Sequence, residues 1–280
     1  MSTAGIARAT ELGGAVLCTV VGVLLLVATV LGPLVTGRVR FHMSEDALVQ
    51  YVGGDLVTSS LALLFLVAAP FWSSGRAWAP ALTAGGSAYV IYTFVTVVMG
   101  QEYAKYQGNA ETAFLLYTAI TAGSVLLLVF SVRACLALPP LPEVPRQGAL
   151  ALLIGLAVLF GLMWVAQLAG FYRTGPTDEY ASATTLFWVI KYLDLGIIIP
   201  LLIITGLAQR HPTAVSNVAA ITALGFMTWL LTAILLMSVA MLRQQAAGAS
   251  WVLVVAFTVL LVPTVFVWVR WMIGASHAMT

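Results

Sequence analysis

The chain has 280 residues, of which 61% are hydrophobic and only 8% are charged, and its formal net charge is +2. Soluble domains carry about a quarter of their residues as charged side chains, so this composition indicates a protein that resides in lipid. The small net charge and the lack of a long basic run argue against a nucleic-acid partner. The two cysteines, Cys18 and Cys135, have no CxxC spacing and therefore indicate neither a zinc site nor a disulfide framework.

Long hydrophobic runs dominate the sequence from one end to the other. A membrane-spanning helix needs roughly 20 mostly apolar residues, so these runs predict an all-α polytopic bundle of about eight transmembrane helices. The first run is longer than the core of a signal peptide, and we expect it to be retained as the first span. The predicted spans are 13–36, 53–73, 79–99, 112–135, 148–171, 184–207, 214–241 and 250–273.

A proline-rich stretch divides the eight predicted spans into two groups of four. We predict a single membrane domain, 1–280, in which this stretch links two halves, 1–138 and 146–280, on the inner side. An Asp-Leu pair followed by a proline occurs in both the second and the sixth span. This similarity predicts a 4+4 parallel repeat of the kind found in some transporters, with chance similarity in a biased composition as the alternative.

The positive charges beside the spans favour an orientation with both termini in the cytoplasm. In this orientation the loops 37–52, 100–111 and 172–183 face outward, and they are rich in acidic residues and tyrosine. Ser44, followed by Glu45 and Asp46, has the pattern of a helix N-cap with acidic residues in the first turn. It predicts a short helix running into the second span, with a solvated connector as the alternative.

The sixth span carries two charged residues, Lys191 and Asp194, inside the apolar segment FWVIKYLDLGIIIP. Three residues apart, they lie on one helix face within reach of an ion pair, and the lysine could also extend outward. Pro200 cannot bond to the carbonyl of Gly196, which predicts a kink. A charged pair above a broken helix is typical of transporter and ion sites. An ion pair that only fixes helix packing is the alternative.

The third span has a polar face formed by residues spaced three and four apart, including Tyr89 and Tyr92. Close helix packing explains this face, and the alternative is that it forms the wall of a pocket with Asp55 as an entrance carboxylate. The candidate ligand-binding residues are Asp194, Lys191, Asp55, Tyr89, Tyr92, Tyr117 and Gln167.

The sequence lacks the usual patterns of membrane enzymes. All three histidines lie outside the predicted spans, and neither HExxH nor GxSxG occurs, so we predict no catalytic residue, no cofactor and no metal centre. A weak surface metal site at His42 with Glu45, Asp46 or Glu102 remains open. A retinal bound to Lys191 is also open, although the order of helices does not resemble that of the rhodopsins.

Four segments have a combined pattern that extends over four of the eight spans. They are GGDLV at 53–57, GGSAYVIYTF at 85–94, GNAETAFLLYTA at 108–119 and LDLGIIIPLLIITG at 193–206. The pattern resembles that of a set of bacterial multi-pass membrane proteins of unknown function. The resemblance implies a location in the bacterial inner membrane, and it implies no particular activity.

Two functions are consistent with these features. The first is transport or binding of a small polar solute or ion from the outer face, at a site near Lys191 and Asp194. The alternative is a non-catalytic accessory or assembly subunit, or a sensor, of a membrane complex. An enzyme is less favoured than either. The expected partners are the lipid bilayer, a small polar ligand or ion, and a partner membrane protein.

Overall fold

The structure, a computed structural model, describes residues 3–138, 145–246 and 249–277. Within these residues all regular elements are helical, and eight segments are long and apolar enough to cross a bilayer. The predicted all-α bundle is therefore confirmed, and the chain is a multi-pass integral membrane protein. The α-helices are α1 (Thr3–Leu31), α2 (Glu45–Ser73), α3 (Trp78–Met99), α4 (Phe114–Leu136), α5 (Arg146–Thr174), α6 (Asp178–Ser182), α7 (Thr184–Leu193), α8 (Ile199–Ala208), α9 (Ala214–Gln244) and α10 (Trp251–His277).

Local chemistry moves two helix ends away from their predicted positions. Helix α1 ends at Leu31 instead of continuing to 36, because Gly32 and Pro33 follow it. Helix α2 begins at Glu45, well before the predicted start of the second span, and the Ser44 hydroxyl accepts a hydrogen bond from the Ala47 N–H at 3.3 Å. The helix predicted after Ser44 is thus confirmed, and it continues without a break into the span.

Six spans form the closely packed core of the bundle. Helix α1 packs on α2 and α4, and α3 packs on the same two helices. Helix α9 packs on α2 and α3, and α10 packs on α9. Glycines permit the closest approaches, since a Cβ placed on Gly53 would lie 2.6 Å from the backbone nitrogen of Met237. A Cβ on Gly85 would likewise lie 2.6 Å from the Cα of Gly225. Small residues at such crossings let helix backbones approach each other inside a membrane.

The fifth and sixth spans form a helical hairpin at the side of this core. Helix α5 packs along α8, while α3, α9 and α10 make smaller contacts with the hairpin. A Cβ placed on Gly155, Gly170 or Gly196 would meet no atom within 4 Å. These three glycines are exposed and lie on the outer faces of the hairpin, whereas a Cβ on Gly206 of α8 would lie 3.1 Å from the Ile154 side chain of α5. The predicted linker falls at 139–144, outside the described residues, and the 4+4 repeat stays a prediction.

Three connections lie together at one end of the bundle, which we call the loop end: residues 32–44, 100–109 and 175–183. Asn109 joins the first two, since its Oδ1 accepts from the Arg40 N–H at 2.6 Å and its Nδ2 donates to the Arg38 carbonyl at 2.9 Å. The Lys105 ammonium donates to the Ala181 carbonyl and so reaches the third connection. With eight spans, the start of α1 and the end of α10 lie at the opposite end.

Candidate functional site

The sixth span changes its helical geometry at Asp194. Helix α7 gives way to a π-helical turn at Asp194–Ile198, and α8 starts at Ile199. The Ile199 N–H bonds the Asp194 carbonyl five residues earlier, and Pro200, which lacks an N–H, lies at the start of α8. A π-helical turn thus lies where the sequence predicts a kink, and turns of this kind are one cause of kinks. Single π turns inside α-helices are frequent at functional sites.

Asp194 joins three spans in the interior of the bundle. Asp194 is only 4% exposed. The Tyr92 hydroxyl of α3 donates to Oδ1 at 2.9 Å, and the Trp164 indole N–H of α5 donates to Oδ2 at 2.8 Å. The carboxylate thus connects the hairpin to the core through α3.

Lys191 is also 4% exposed, and its ammonium lies over aromatic rings. The Nζ atom is 3.3 Å from the centroid of the Phe187 ring and 4.5 Å from that of Trp164. Desolvated cation–π contacts of this kind are worth about 2 kcal/mol or more. The side chain also interacts electrostatically with Asp194. Phe187 lies one turn nearer the loop end, so the lysine side chain extends towards that end, as expected, while its ammonium stays buried.

The arrangement offers a compact set of polar groups in an apolar interior. We define the Asp194 centre as Asp194, Lys191, Tyr92, Trp164 and Phe187. Each carboxylate oxygen has two lone pairs, so Asp194 keeps acceptor capacity beyond its two hydrogen bonds. A cation, or a hydrogen-bond donor of a solute, could replace the Tyr92 or the Trp164 donor at the Asp194 carboxylate.

The other predicted site residues lie outside the Asp194 centre, although Tyr89 interacts electrostatically with Tyr92. Tyr89 and Tyr117 are buried and interact electrostatically with Asp55, on the side of the core formed by α2, α3 and α4. Gln167 is exposed on α5 and belongs neither to the Asp194 centre nor to the residues around Asp55. Sequence reasoning missed Trp164, one turn before Gln167. The signal was its indole N–H, which requires an acceptor when it lies inside an apolar helix bundle.

An open groove of about 670 Å³ lies at the loop end. Asp194 and Lys191 are not among its lining residues, whereas Tyr117 is. The groove thus leads from the loop end towards the tyrosines around Asp55. It is lined by Val98, Met99, Gln101, Tyr103, Ala110, Glu111, Phe114, Tyr117 and Thr185.

His42 fixes the first connection of the loop end to the start of the fourth span. Its Nδ1 lies 2.7 Å from the Tyr106 carbonyl oxygen and its Nε2 lies 2.8 Å from the Glu111 carboxylate. Both partners accept hydrogen bonds, so the ring must donate from both nitrogens as an imidazolium. The His42 ring bonds Glu111 and the Tyr106 carbonyl and not the carboxylates of Glu45, Asp46 or Glu102, and the described residues contain no cluster of three or more metal-ligating side chains.

The His42 contact predicts a pH dependence of stability. Burial lowers the pKa of His42, but the hydrogen bonds to Glu111 and to the Tyr106 carbonyl, with the charge of Glu111, outweigh it and raise the pKa above 6.5. The stabilisation is therefore complete below the ordinary pKa and is lost as pH rises through the raised value. We expect the Tm of the purified chain to fall as pH rises above the ordinary histidine pKa of about 6.5.

The variant Glu111→Gln should flatten this part of the pH profile because it removes the carboxylate that holds the imidazolium. His211→Gln is the matched control, since His211 is exposed at the opposite end of the bundle and should leave the slope unchanged. If Tm fell equally steeply with pH in Glu111→Gln and in the unaltered chain, the assignment of His42 as an imidazolium would be contradicted.

Comparison of the chain with protein-family models, with curated proteins and with solved structures finds no match.

Proposed function

We propose that the protein carries a small polar solute or an ion across the membrane, with Asp194 and Lys191 as the charged centre of the pathway. The observation that carries this proposal is the burial of two ionisable side chains, each 4% exposed, where three spans meet. Charged groups in membrane spans are rare because they cost about 2.5–3.5 kcal/mol each on insertion scales. They commonly mark a substrate or ion pathway.

The geometry of the sixth span supports this proposal. Transporters place their binding sites at discontinuous helices, where the backbone departs from regular α-helical bonding. The π turn at Asp194–Ile198 is such a departure, and it begins at the buried carboxylate itself. Backbone carbonyl groups displaced by the wide turn could contribute to a site at Asp194.

The limited contact between the two parts of the bundle supports a moving hairpin. Helices α3, α9 and α10 contact the hairpin much less than the core helices contact one another. The Tyr92 hydrogen bond to Asp194 is a contact that ties the hairpin to the core. Release of this bond on binding of a solute would let the hairpin shift against a fixed scaffold.

The cellular setting belongs to the same proposal. We place the protein in a bacterial inner membrane, as the resemblance to bacterial multi-pass proteins implies, with both termini in the cytoplasm. The loop end then faces outward, with Asp55 as the entrance carboxylate. A cysteine placed at Ala104, which is exposed at the loop end, should react with an impermeant maleimide in intact cells if this orientation is correct.

One observation favours the competing role of an accessory or sensor subunit. Both oxygens of Asp194 already accept a hydrogen bond, and the Lys191 ammonium lies over two rings. A centre satisfied in this way can act as a fixed contact between hairpin and core. In that role no solute would bind, and the chain would purify with a second protein.

Reconstitution of the full-length chain into liposomes tests the transport proposal. Charge movement on a solid-supported membrane would be recorded after jumps of Na⁺, K⁺ and H⁺, and uptake would be measured with radiolabelled pools of amino acids, sugars and organic acids. We expect transport of at least one probe, and at least a tenfold reduction in Asp194→Asn, because the neutral amide cannot balance a cation or Lys191.

Asp46→Asn is the matched control, since Asp46 is an exposed carboxylate at the first turn of α2 and should leave transport unchanged. The proposal is wrong if no probe moves, or if Asp194→Asn transports as well as the unaltered chain. A stoichiometric partner protein together with no transport would support the accessory role instead.

A further inference from the structure

We propose that Asp55 and the last turn of α1 form a binding site for a monovalent cation of the Na⁺ class. This site is separate from the Asp194 centre and does not depend on the transport proposal. It rests on three oxygen atoms of different chemical kinds that the fold places at the C-terminal end of α1.

The first oxygen is Oδ2 of Asp55. This atom is buried and has no hydrogen-bond partner among the described residues. It lies against α1 at Gly32, where an added Cβ would be 3.4 Å from Oδ2 and 3.6 Å from the Thr29 carbonyl oxygen. The missing side chain of Gly32 therefore leaves the carboxylate and this carbonyl facing the same small space.

The second and third oxygens belong to Thr29. Its carbonyl would normally bond the N–H four residues later, but that residue is Pro33, which has none. Its side chain is 7% exposed, and the buried Oγ1 has no hydrogen-bond partner within the described ranges. Thr29 and Gly32 are three residues apart on one helix face, the face that Asp55 contacts.

The chemistry of these groups fits a hard monovalent cation. Carboxylate, hydroxyl and carbonyl oxygens are the ligands of such ions, and the C-terminal end of a helix carries a partial negative charge that attracts them. Transporters bind Na⁺ at half-helix ends in the same way. The described residues provide no cluster of three or more His, Cys, Asp or Glu, and one carboxylate balances one positive charge. A calcium site would need more carboxylate oxygens as ligands.

Three tyrosines lie close to this carboxylate, and one of them is also part of the groove wall. Tyr51, Tyr89 and Tyr117 all interact electrostatically with Asp55. Tyr117 also lines the open groove at the loop end. A cation could therefore reach Asp55 from the loop end along a path with hydroxyl groups beside it.

The test is thermal unfolding of the purified full-length chain in NaCl and in choline chloride of equal ionic strength. A ligand that binds only the folded chain, at about ten times its Kd, should raise Tm by about 3–6 °C. We expect this rise in Na⁺ and none in choline. Asp55→Asn and Thr29→Val should both lose the rise, since one removes the charge and the other replaces the hydroxyl by a methyl group of similar size.

Asp46→Asn should keep the Na⁺ response, because Asp46 is an exposed carboxylate at the first turn of α2. Gly32→Ala provides an independent variant if Asp55→Asn does not fold, because its methyl group would occupy the space between Oδ2 and the Thr29 carbonyl. The proposal is overturned if Na⁺ and choline give the same Tm, or if the Asp55 and Thr29 variants respond normally. If Tm changed with pH but not with Na⁺, Asp55 would bind a proton instead of a cation, and the proposal would also be overturned.

Discussion

Asp194→Leu is expected to lower the free energy of unfolding by about 3–5 kcal/mol, the usual effect of removing one partner of a buried charged pair. Lys191 would keep its charge inside the bundle without the carboxylate that it faces. The Tyr92 hydroxyl and the Trp164 N–H would lose their acceptor at the same time. The loss would be measured as a reduced Tm and as unfolding at a lower denaturant concentration in detergent micelles.

The second substitution Lys191→Met should restore much of this stability, because the double variant contains no uncompensated charge. Asp46→Leu serves as the surface control and should change the free energy of unfolding by less than about 0.5 kcal/mol. If Asp194→Leu were as stable as this control, the carboxylate would have no structural partnership with Lys191. If the double variant were no better than Asp194→Leu, the two charges would not be coupled.

Gly85→Val should separate helices α3 and α9 and destabilise the protein by about 3 kcal/mol or more. The new Cβ would lie 2.6 Å from Gly225 Cα and 2.8 Å from the Gly225 carbonyl carbon, and these backbone atoms cannot rotate away as a side chain could. The effect should extend to the Asp194 centre. Tyr92 lies two turns after Gly85, and its ring contacts Phe226 of α9 with 5.7 Å between ring centroids.

The measurement is Tm together with the yield of monodisperse protein after solubilisation. Gly155→Val is the matched control, since a Cβ at Gly155 meets nothing within 4 Å and the added side chain is the same. We expect that control to remain within about 0.5 kcal/mol of the unaltered chain. Equal stability of the two valine variants would show that α3 and α9 do not need the glycine contact.

Much of the fold could be predicted because the bilayer imposes strong rules on length and composition. A span must be apolar over about 20 residues, so the eight segments are visible in the sequence without knowledge of their packing. Ser44 was also predictable as a helix start, since an N-cap acts through neighbouring residues alone. The end of α1 was placed too late because hydropathy continues through Gly32, Pro33 and Leu34 although the helix does not.

The candidate site could be predicted only in part, because it depends on which helices are neighbours. Lys191 and Asp194 could be singled out because charge in hydrocarbon is costly, but their burial and their partners on α3 and α5 depend on the packing. Tyr92 and Tyr89 have the same residue type on the same face, yet one bonds Asp194 and the other lies near Asp55. Gln167 has the more polar side chain, whereas Trp164 makes the contact, since rotation of α5 decides which residue faces inward.

The π turn also affects how the sixth span can tolerate changes in length. A wide turn accommodates one residue more than a regular α-helix of the same height, while the helical segments on both sides keep their directions. Loss of one residue between 195 and 198 would restore regular spacing and leave both flanking segments facing their present neighbours. The same deletion elsewhere in the span would rotate one segment by about 100° and turn its inward side towards lipid.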